Sequence, residues 1–329
     1  FRIKLLNESV KAGLLFITFN FIPLAFMNML KELCQIHAPS GFEAPMKTHL
    51  LQYIKQNAKK WKTKPEIIEG EEFQDCFMLK FGKPRTAIFA HMDSIGFSVR
   101  YFNQLLPIGS PDAESGTQLV GRDSKGEIEC ELEYDKDQRV FYKFGRAIDR
   151  GTSLTYKPNF RNTKVFVQSP YLDNRLGIYS ALKVAEKLKD GVIVFSCWEE
   201  HGGGAVGYLA NHLFNAWGVR QALISDITWA TDGVELGKGV AISMRDKNIP
   251  RRSYVDHIIA LAKKSKVEYQ LEVEGSGSSD GGELQRSPVP FDWCFVGAPS
   301  QDPHSPHEKV HKSDISAMIK LYQYLMKEL

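Results

Sequence analysis

The sequence predicts an α/β fold, a layered core of strands and helices interrupted by a small inserted β domain. Three observations predict it. Short apolar runs alternate with helical-period segments beyond about residue 164, residues 94–163 change to short alternating stretches, and 43% hydrophobic with 11% aromatic residues can fill such a core.

In chain order, residues 1–26 carry a few basic residues and an apolar run over 12–26 broken by Asn20 and Pro23. That run is too short to span a bilayer and has no small-x-small cleavage site before Met27. It is expected to be a non-native or upstream-read extension rather than a signal peptide. Leu30, Leu33 and Ile36, then Met46, Leu50, Tyr53 and Ile54, read as two helices around the turn Pro39-Ser40-Gly41. Two apolar runs follow over 77–89, broken at 82–84, and the second runs into His91.

Over 94–163, alternating segments such as 127–134 and 140–144 are separated by Gly, Asp, Asn and Pro, which reads as the inserted β domain. Alternation then resumes: helix 175–188, strand 192–197, helix 205–214, strand 221–225, helix 252–265, strand 291–296 and helix 313–327. The core domain is therefore expected to comprise residues 27–93 and 164–329.

Composition excludes several partners. Lys plus Arg at 42 against Asp plus Glu at 39 leaves a net charge of +3, with no basic tract interleaved with aromatics, so nucleic acid is not expected. Nor is a membrane. Cys34, Cys76, Cys130, Cys197 and Cys294 are odd in number and lack CxxC pairs, which predicts reduced, mostly buried thiols and a cytoplasmic setting.

The chemistry gathers where the apolar strands end. Ala87-Ile88-Phe89-Ala90 ends at His91, Val192-Ile193-Val194-Phe195 leads to Glu199 and Glu200, Ala222-Leu223-Ile224 leads to Asp226, and Cys294-Phe295-Val296 leads through Gly297 and Pro299 to His304. Ligands in open α/β sheets bind beyond the carboxyl ends of strands. Two divalent ions need a bridging carboxylate and one or two further N or O ligands each, with room for water, and two His with three carboxylates meet that need.

Asp173 is the natural bridge, at the start of a helix with apolar Leu176, Tyr179, Leu182 and Leu188, although an N-cap is its plainer reading. For Glu199-Glu200 the plainer reading is a solvated acidic turn. Gly202-Gly203-Gly204 ends the strand before them, so one glutamate can ligate a metal while its unligated neighbour serves as base. Asp93 can orient a metal-bound His91, or simply sit in a turn near Gly96. His37, His201 and His257 read as structural or surface residues, and His307 and His311 lack a matching pattern.

The segments Ala90-His91-Met92-Asp93-Ser94-Ile95-Gly96, Leu172-Asp173-Asn174-Arg175-Leu176-Gly177, Trp198-Glu199-Glu200-His201-Gly202-Gly203, Ser225-Asp226-Ile227-Thr228, Gly277-Ser278-Ser279-Asp280-Gly281 and His304-Ser305-Pro306-His307-Glu308 resemble those of the tetrahedral aminopeptidase and glutamyl aminopeptidase family of two-metal metallopeptidases. The likeness runs from about Leu30 to the C-terminus. It implies a mixed-sheet core sandwiched by helices, of the zinc-aminopeptidase type, with a β domain used for dimer contacts in assemblies that are often dodecameric. It also implies that His91 and Asp226 bind one ion, Glu200 and His304 the other, with Asp173 bridging and Glu199 as general base. Zinc is the first expectation for both ions, cobalt or manganese the alternatives, and peptides are the expected substrates.

Ser94 stands where the family usually has Glu, Asn174 where a second Asp is usual, and His201-Gly202-Gly203-Gly204 replaces Val-Gly-x-Arg-Gly. None of these removes a ligand or the base. A related deacylase or carboxypeptidase would use the same metal chemistry, and a binding protein without catalysis would not need Glu199. A serine hydrolase would use the G-x-S-x-G of residues 277–281, but residues 267–274 alternate polar and apolar instead of forming a buried strand. Asp280 is expected as a turn residue.

Overall fold

The computed structural model describes residues 24–329. The N-terminal extension lies outside the described residues, except where the first helix opens. In chain order come α1 (Leu24–Cys34), α2 (Ala44–Asn57), β1 (Glu66–Ile68), β2 (Phe77–Phe81) and β3 (Ala87–His91). Next are β4 (Gly96–Val99), β5 (Leu105–Ile108), β6 (Gln118–Asp123), β7 (Gly126–Tyr134), β8 (Val140–Lys143) and β9 (Ser153–Tyr156). The remainder is β10 (Arg161–Asn162), β11 (Phe166–Gln168), α3 (Leu172–Ala185), β12 (Gly191–Ser196), α4 (Ala205–Trp217), β13 (Gln221–Trp229), β14 (Val240–Arg245), α5 (Arg252–Ser265), β15 (Tyr269–Val273), α6 (Asp280–Arg286), β16 (Asp292–Gln301), β17 (Lys309–His311) and α7 (Lys312–Glu328).

Eleven strands make one mixed sheet in the order β1-β2-β12-β3-β13-β16-β17-β11-β10, with β14 and β15 branching from β16. At its centre β12, β3, β13 and β16 run parallel. Every residue of β3 and β12 is buried, the pattern of strands covered on both faces, which is why they read as unbroken apolar runs. Helix α3 packs on β3 and β13 and against α1 and α7, while α5 and α7 pack on β16. Gly177 permits the α3–β13 approach, since a Cβ there would lie 2.1 Å from the Ser225 carbonyl. The mixed α/β architecture expected from the sequence is the one formed.

Strands β4 to β9 form a second, wholly antiparallel sheet in the order β5-β4-β9-β6-β7-β8. It has its own apolar cluster, including Phe97, Leu119, Leu132, Leu154 and Tyr156. In β7 buried residues alternate with more exposed ones, as in a sheet with one covered face.

Several pieces depart from expectation, the short strands β1, β11 and β17 among them. Strand β14 was not anticipated, and it buries its first four residues against β16. Asp280 is not a turn residue: it opens α6, 3% exposed, behind a Ser279 cap that accepts the Gly281 N–H. The glycines of Asp280-Gly281-Gly282 have low helix propensity, so the sequence there reads as loop. Capping and burial of Leu284 outweigh it.

Candidate active site

The ends of the central strands converge on two histidines. His91, the last residue of β3, places Nε2 3.2 Å from Asp173 Oδ1, 3.4 Å from Asp226 Oδ2 and 3.9 Å from Glu199 Oε2. His304, on the loop after β16, places Nε2 3.3 Å from Asp173 Oδ2 and 3.4 Å from Glu200 Oε2. Each oxygen of Asp173 thus faces a different imidazole. His91, Asp173 and Asp226 form one group able to hold a metal ion, and Asp173, Glu200 and His304 a second, with donor atoms within 4.8 Å of one another in each.

Asp173 reaches that position because it stays out of the helix. Its φ of −78° and ψ of 107° are not helical. Asn174 performs the capping instead, accepting the Gly177 N–H at 2.8 Å and donating its amide to the Ser225 carbonyl at 2.8 Å. An ionised aspartate could not make that donation, which gives the Asn174 departure a physical role. The plainer reading of Asp173 as an N-cap is therefore corrected.

Asp93 lies just past the end of β3. Its Oδ1 is 3.3 Å from His91 Nδ1 and accepts the Glu199 N–H at 3.1 Å, while Oδ2 accepts the Glu200 N–H at 3.0 Å and the Ser40 hydroxyl at 2.6 Å. One carboxylate thereby fixes both an imidazole and the turn bearing the two glutamates. Beyond that turn, Glu283 accepts the Gly204 N–H and, at 3.0 Å, the Val206 N–H at the start of α4.

The second sheet also reaches the site. Gly109, at φ +67°, packs so closely that a Cβ would lie 3.0 Å from the Glu200 carbonyl. The next residue, Ser110, sets its Oγ 3.0 Å and its carbonyl 3.1 Å from His304 Nδ1. A proton on Nδ1 directed at that carbonyl leaves Nε2 free to ligate. Trp229 stands at the rim, 56% exposed, its ring 6.3 Å from that of His304.

The electrostatics follow from gathering five carboxylates, Asp93, Asp173, Glu199, Glu200 and Asp226, around two imidazoles. Burial opposes charge on Asp173, but the facing imidazoles of His304 and His91 outweigh it and hold its carboxyl well below the usual range. Burial pushes Glu200 up to about 8 and Asp226 up to about 6, with Asp173 adding to both. Glu199 is driven well above the ordinary carboxylate range, chiefly by burial. Burial opposes charging His304, yet Asp173 and Glu200 raise it to about 10. The clustered carboxylates thus favour positive charge on the two imidazoles against the cost of burial.

Among the described residues, the buried side-chain atoms that lack a hydrogen bond of good geometry include His91 Nδ1, His91 Nε2 and Glu200 Oε1. Neutral imidazole nitrogens and carboxylate oxygens at these separations suit zinc, cobalt or manganese.

The other histidines weighed have places of their own, His307 lending its carbonyl to the Gln168 amide. His37 bonds Ser153 at 2.7 Å and Thr155 at 3.0 Å, His201 Nδ1 accepts the Gly109 N–H, His257 is exposed on α5, and His311 caps α7. Ser279, the serine of the G-x-S-x-G stretch, is a helix cap with no histidine hydrogen-bonded to it among the described residues. Asp280 accepts the Ser196 hydroxyl at 2.5 Å, and burial pushes its carboxyl up to about 7.

Sequence reasoning missed Ser110, Ser40, Arg175 and Glu308. Arg175 is fully buried and donates Nη1 to the Met92 and Asp93 carbonyls. Glu308 accepts the Asp173 N–H at 2.9 Å and the Tyr171 N–H at 3.2 Å. Arg175 and Glu308 fall within the segments that carry the resemblance, and Arg175 beside Leu176 is also a charge set in an apolar neighbourhood.

The model of the M42 glutamyl aminopeptidase family matches residues 140–321, a span that holds Asp173, Glu199, Glu200, Asp226 and His304. A protein of Acetivibrio thermocellus is 25% identical, the match covering 89% of this chain and 96% of that one. The lysyl aminopeptidase of Pyrococcus furiosus is 25% identical over 76% of this chain and 83% of its own. Among solved structures, a TET aminopeptidase from a marine sediment Thaumarchaeota archaeon shares the fold at a TM-score of 0.81 and 18% identity, covering 93% and 96% of the two chains. The Pyrococcus horikoshii TET1 peptidase, which can assemble into a tetrahedron or a large octahedral shell, does so at 0.78 and 21%, covering 92% and 100%. With more than half of its length matched by the family model, the chain belongs to the M42 glutamyl aminopeptidase family of peptide-bond hydrolases.

Proposed function

We propose that the chain is a metal-dependent aminopeptidase that removes N-terminal residues from peptides, holding one ion on His91 and Asp226, a second on Glu200 and His304, and sharing Asp173 between them. The observation that carries this reading is the pair of Asp173 oxygens, one 3.2 Å from His91 and the other 3.3 Å from His304. Divalent ions there, zinc first and cobalt or manganese as alternatives, would polarise the scissile carbonyl and acidify water.

The chain's own residues do the rest. Glu199 belongs to neither donor group yet lies 3.9 Å from His91, which leaves it free to take the proton of the attacking water and return it to the leaving amine. Its raised proton affinity suits a group that must hold that proton between the two events. Asp93 keeps His91 and the Glu199–Glu200 turn in place, and Trp229 offers an apolar face at the rim.

Residues 27–93 and 164–329 form the catalytic unit in this reading, and residues 94–163 an insert serving dimer contacts. Larger assembly, up to a dodecamer, is supported by two structures of the same fold, one a TET1 dodecamer and one that can assemble into a tetrahedron or a large octahedral shell. All five cysteines are unpaired and buried, which fits a cytoplasmic enzyme. The test is hydrolysis of free-amine and N-acetylated aminoacyl substrates before and after chelation, with zinc, cobalt or manganese added back. Cleavage of free-amine substrates only, lost on chelation and restored by metal, is expected. Turnover of blocked substrates, or activity that survives chelation, would overturn the reading.

A further inference from the structure

We propose that the inserted sheet is a working part of the metal centre, with Tyr156 as the positioning residue that sets His304 and hence the ion shared by His304 and Glu200. The inference rests on the two-ion reading above. Tyr156 closes β9, which pairs with both β4 and β6, and it is 1% exposed. Its hydroxyl lies 3.0 Å from the Asp112 carbonyl and 3.1 Å from the His304 carbonyl. The Asp112 N–H donates to the same His304 carbonyl at 2.9 Å.

His304 needs that hold. Its φ is +62° and that of Asp302 is +54°, a left-handed conformation that residues other than glycine keep only when their surroundings impose it. The insert supplies the surroundings at three points: Tyr156 and Asp112 on the backbone, and Ser110 on the ring. Removing the phenol leaves the loop to relax toward a commoner conformation and swings Nε2 away from Glu200.

The same tyrosine begins a path to the shared carboxylate. Its ring stacks on Tyr171 at 6.0 Å and 16°, and Tyr171 donates its hydroxyl to the Tyr156 carbonyl at 3.2 Å. Tyr171 and Asp173 both direct their N–H groups to Glu308. His91 is held otherwise, by pairing of β3 with β12 and by Asp93. The path to Asp173 runs through the ring and carbonyl of Tyr156 and the contact with His304 through its phenol, so loss of the phenol alone should act on one ion, and loss of Glu308, through Asp173, on both.

The test is a zinc titration of the full chain against a competing chromophoric chelator, which reads two affinities without measuring activity. The wild type comes first: fewer than two ions would overturn the two-ion reading itself, before any variant is made. In Tyr156→Phe, which keeps the ring stack, one affinity should fall about 10- to 100-fold and the other should hold. Combining it with His304→Ala, which leaves a single ion, should produce no further loss. Ser110→Ala should weaken the same ion to a smaller degree, and Glu308→Gln should weaken both. Two unchanged affinities in Tyr156→Phe, or an equal fall in both, would overturn the inference, the second outcome marking a merely structural tyrosine.

Discussion

The two halves of the site share Asp173 and are built in different ways. His91 and Asp226 belong to neighbouring parallel strands, β3 and β13, and are 1% and 5% exposed. Glu200 and His304 sit on loops, and the His304 side chain is 18% exposed. A strand holds a ligand by register with its neighbours, whereas a loop needs partners of its own. Asp93 supplies them for Glu200, and the insert supplies them for His304. The strand-borne half should therefore be the rigid one and the loop-borne half the one that substitutions at a distance can disturb.

The largest effect should come from the residue common to both halves. Asp173→Ala removes one oxygen from each group, so metal analysis should find neither ion firmly held and turnover at background. Two ions per chain in that variant would show the shared carboxylate to be wrongly placed. Glu199→Gln isolates the chemistry from the ligands: kcat should fall about 10²- to 10⁴-fold with both ions retained. Wild-type-like turnover in that variant would refute the base assignment.

The contrast between halves also decides what the sequence reveals. Strand-borne residues were legible because an unbroken apolar run such as Val192-Ile193-Val194-Phe195 announces a buried strand, and a polar residue at its end announces a site. Loop-borne His304 was legible as a residue beyond the Cys294-Phe295-Val296 run and through motif resemblance, but nothing in its spacing from Val296 fixes where a left-handed loop will carry it. The supports of that loop were not legible at all. Ser110 and Tyr156 lie 194 and 148 residues from His304, and their carbonyl and phenol contacts depend on tertiary packing that no local periodicity encodes. Asn174 was noted as a departure, but its capping role needed the close approach of Ser225.

A smaller effect sharpens the comparison on the rigid side. Asp93→Asn keeps the shape but turns an amide toward groups that donate, the Glu199 and Glu200 N–H groups and His91 Nδ1. Affinity for the ion at His91 should drop about 10- to 100-fold, and kcat should drop with it because the base rides on the same turn. An unchanged affinity with unchanged kcat would show that register in the sheet alone orients His91.

The smallest effect comes from a second buried phenol in the same chemical situation as Tyr156. Tyr322 of α7 is fully buried and sets its hydroxyl 2.6 Å from the Ile224 carbonyl and 2.7 Å from the Val296 carbonyl, two residues short of Asp226 on one strand and on the neighbouring β16. Tyr322→Phe removes a hydrogen bond as Tyr156→Phe does, but the carbonyls it serves belong to strands that are already paired over nine residues. Stability should fall by about 1 kcal/mol, read by denaturant unfolding, while both zinc affinities stay at wild-type values. Loss of an ion in Tyr322→Phe would mean that the strand-borne half depends on remote support as much as the loop-borne half, and the distinction between the two would fail.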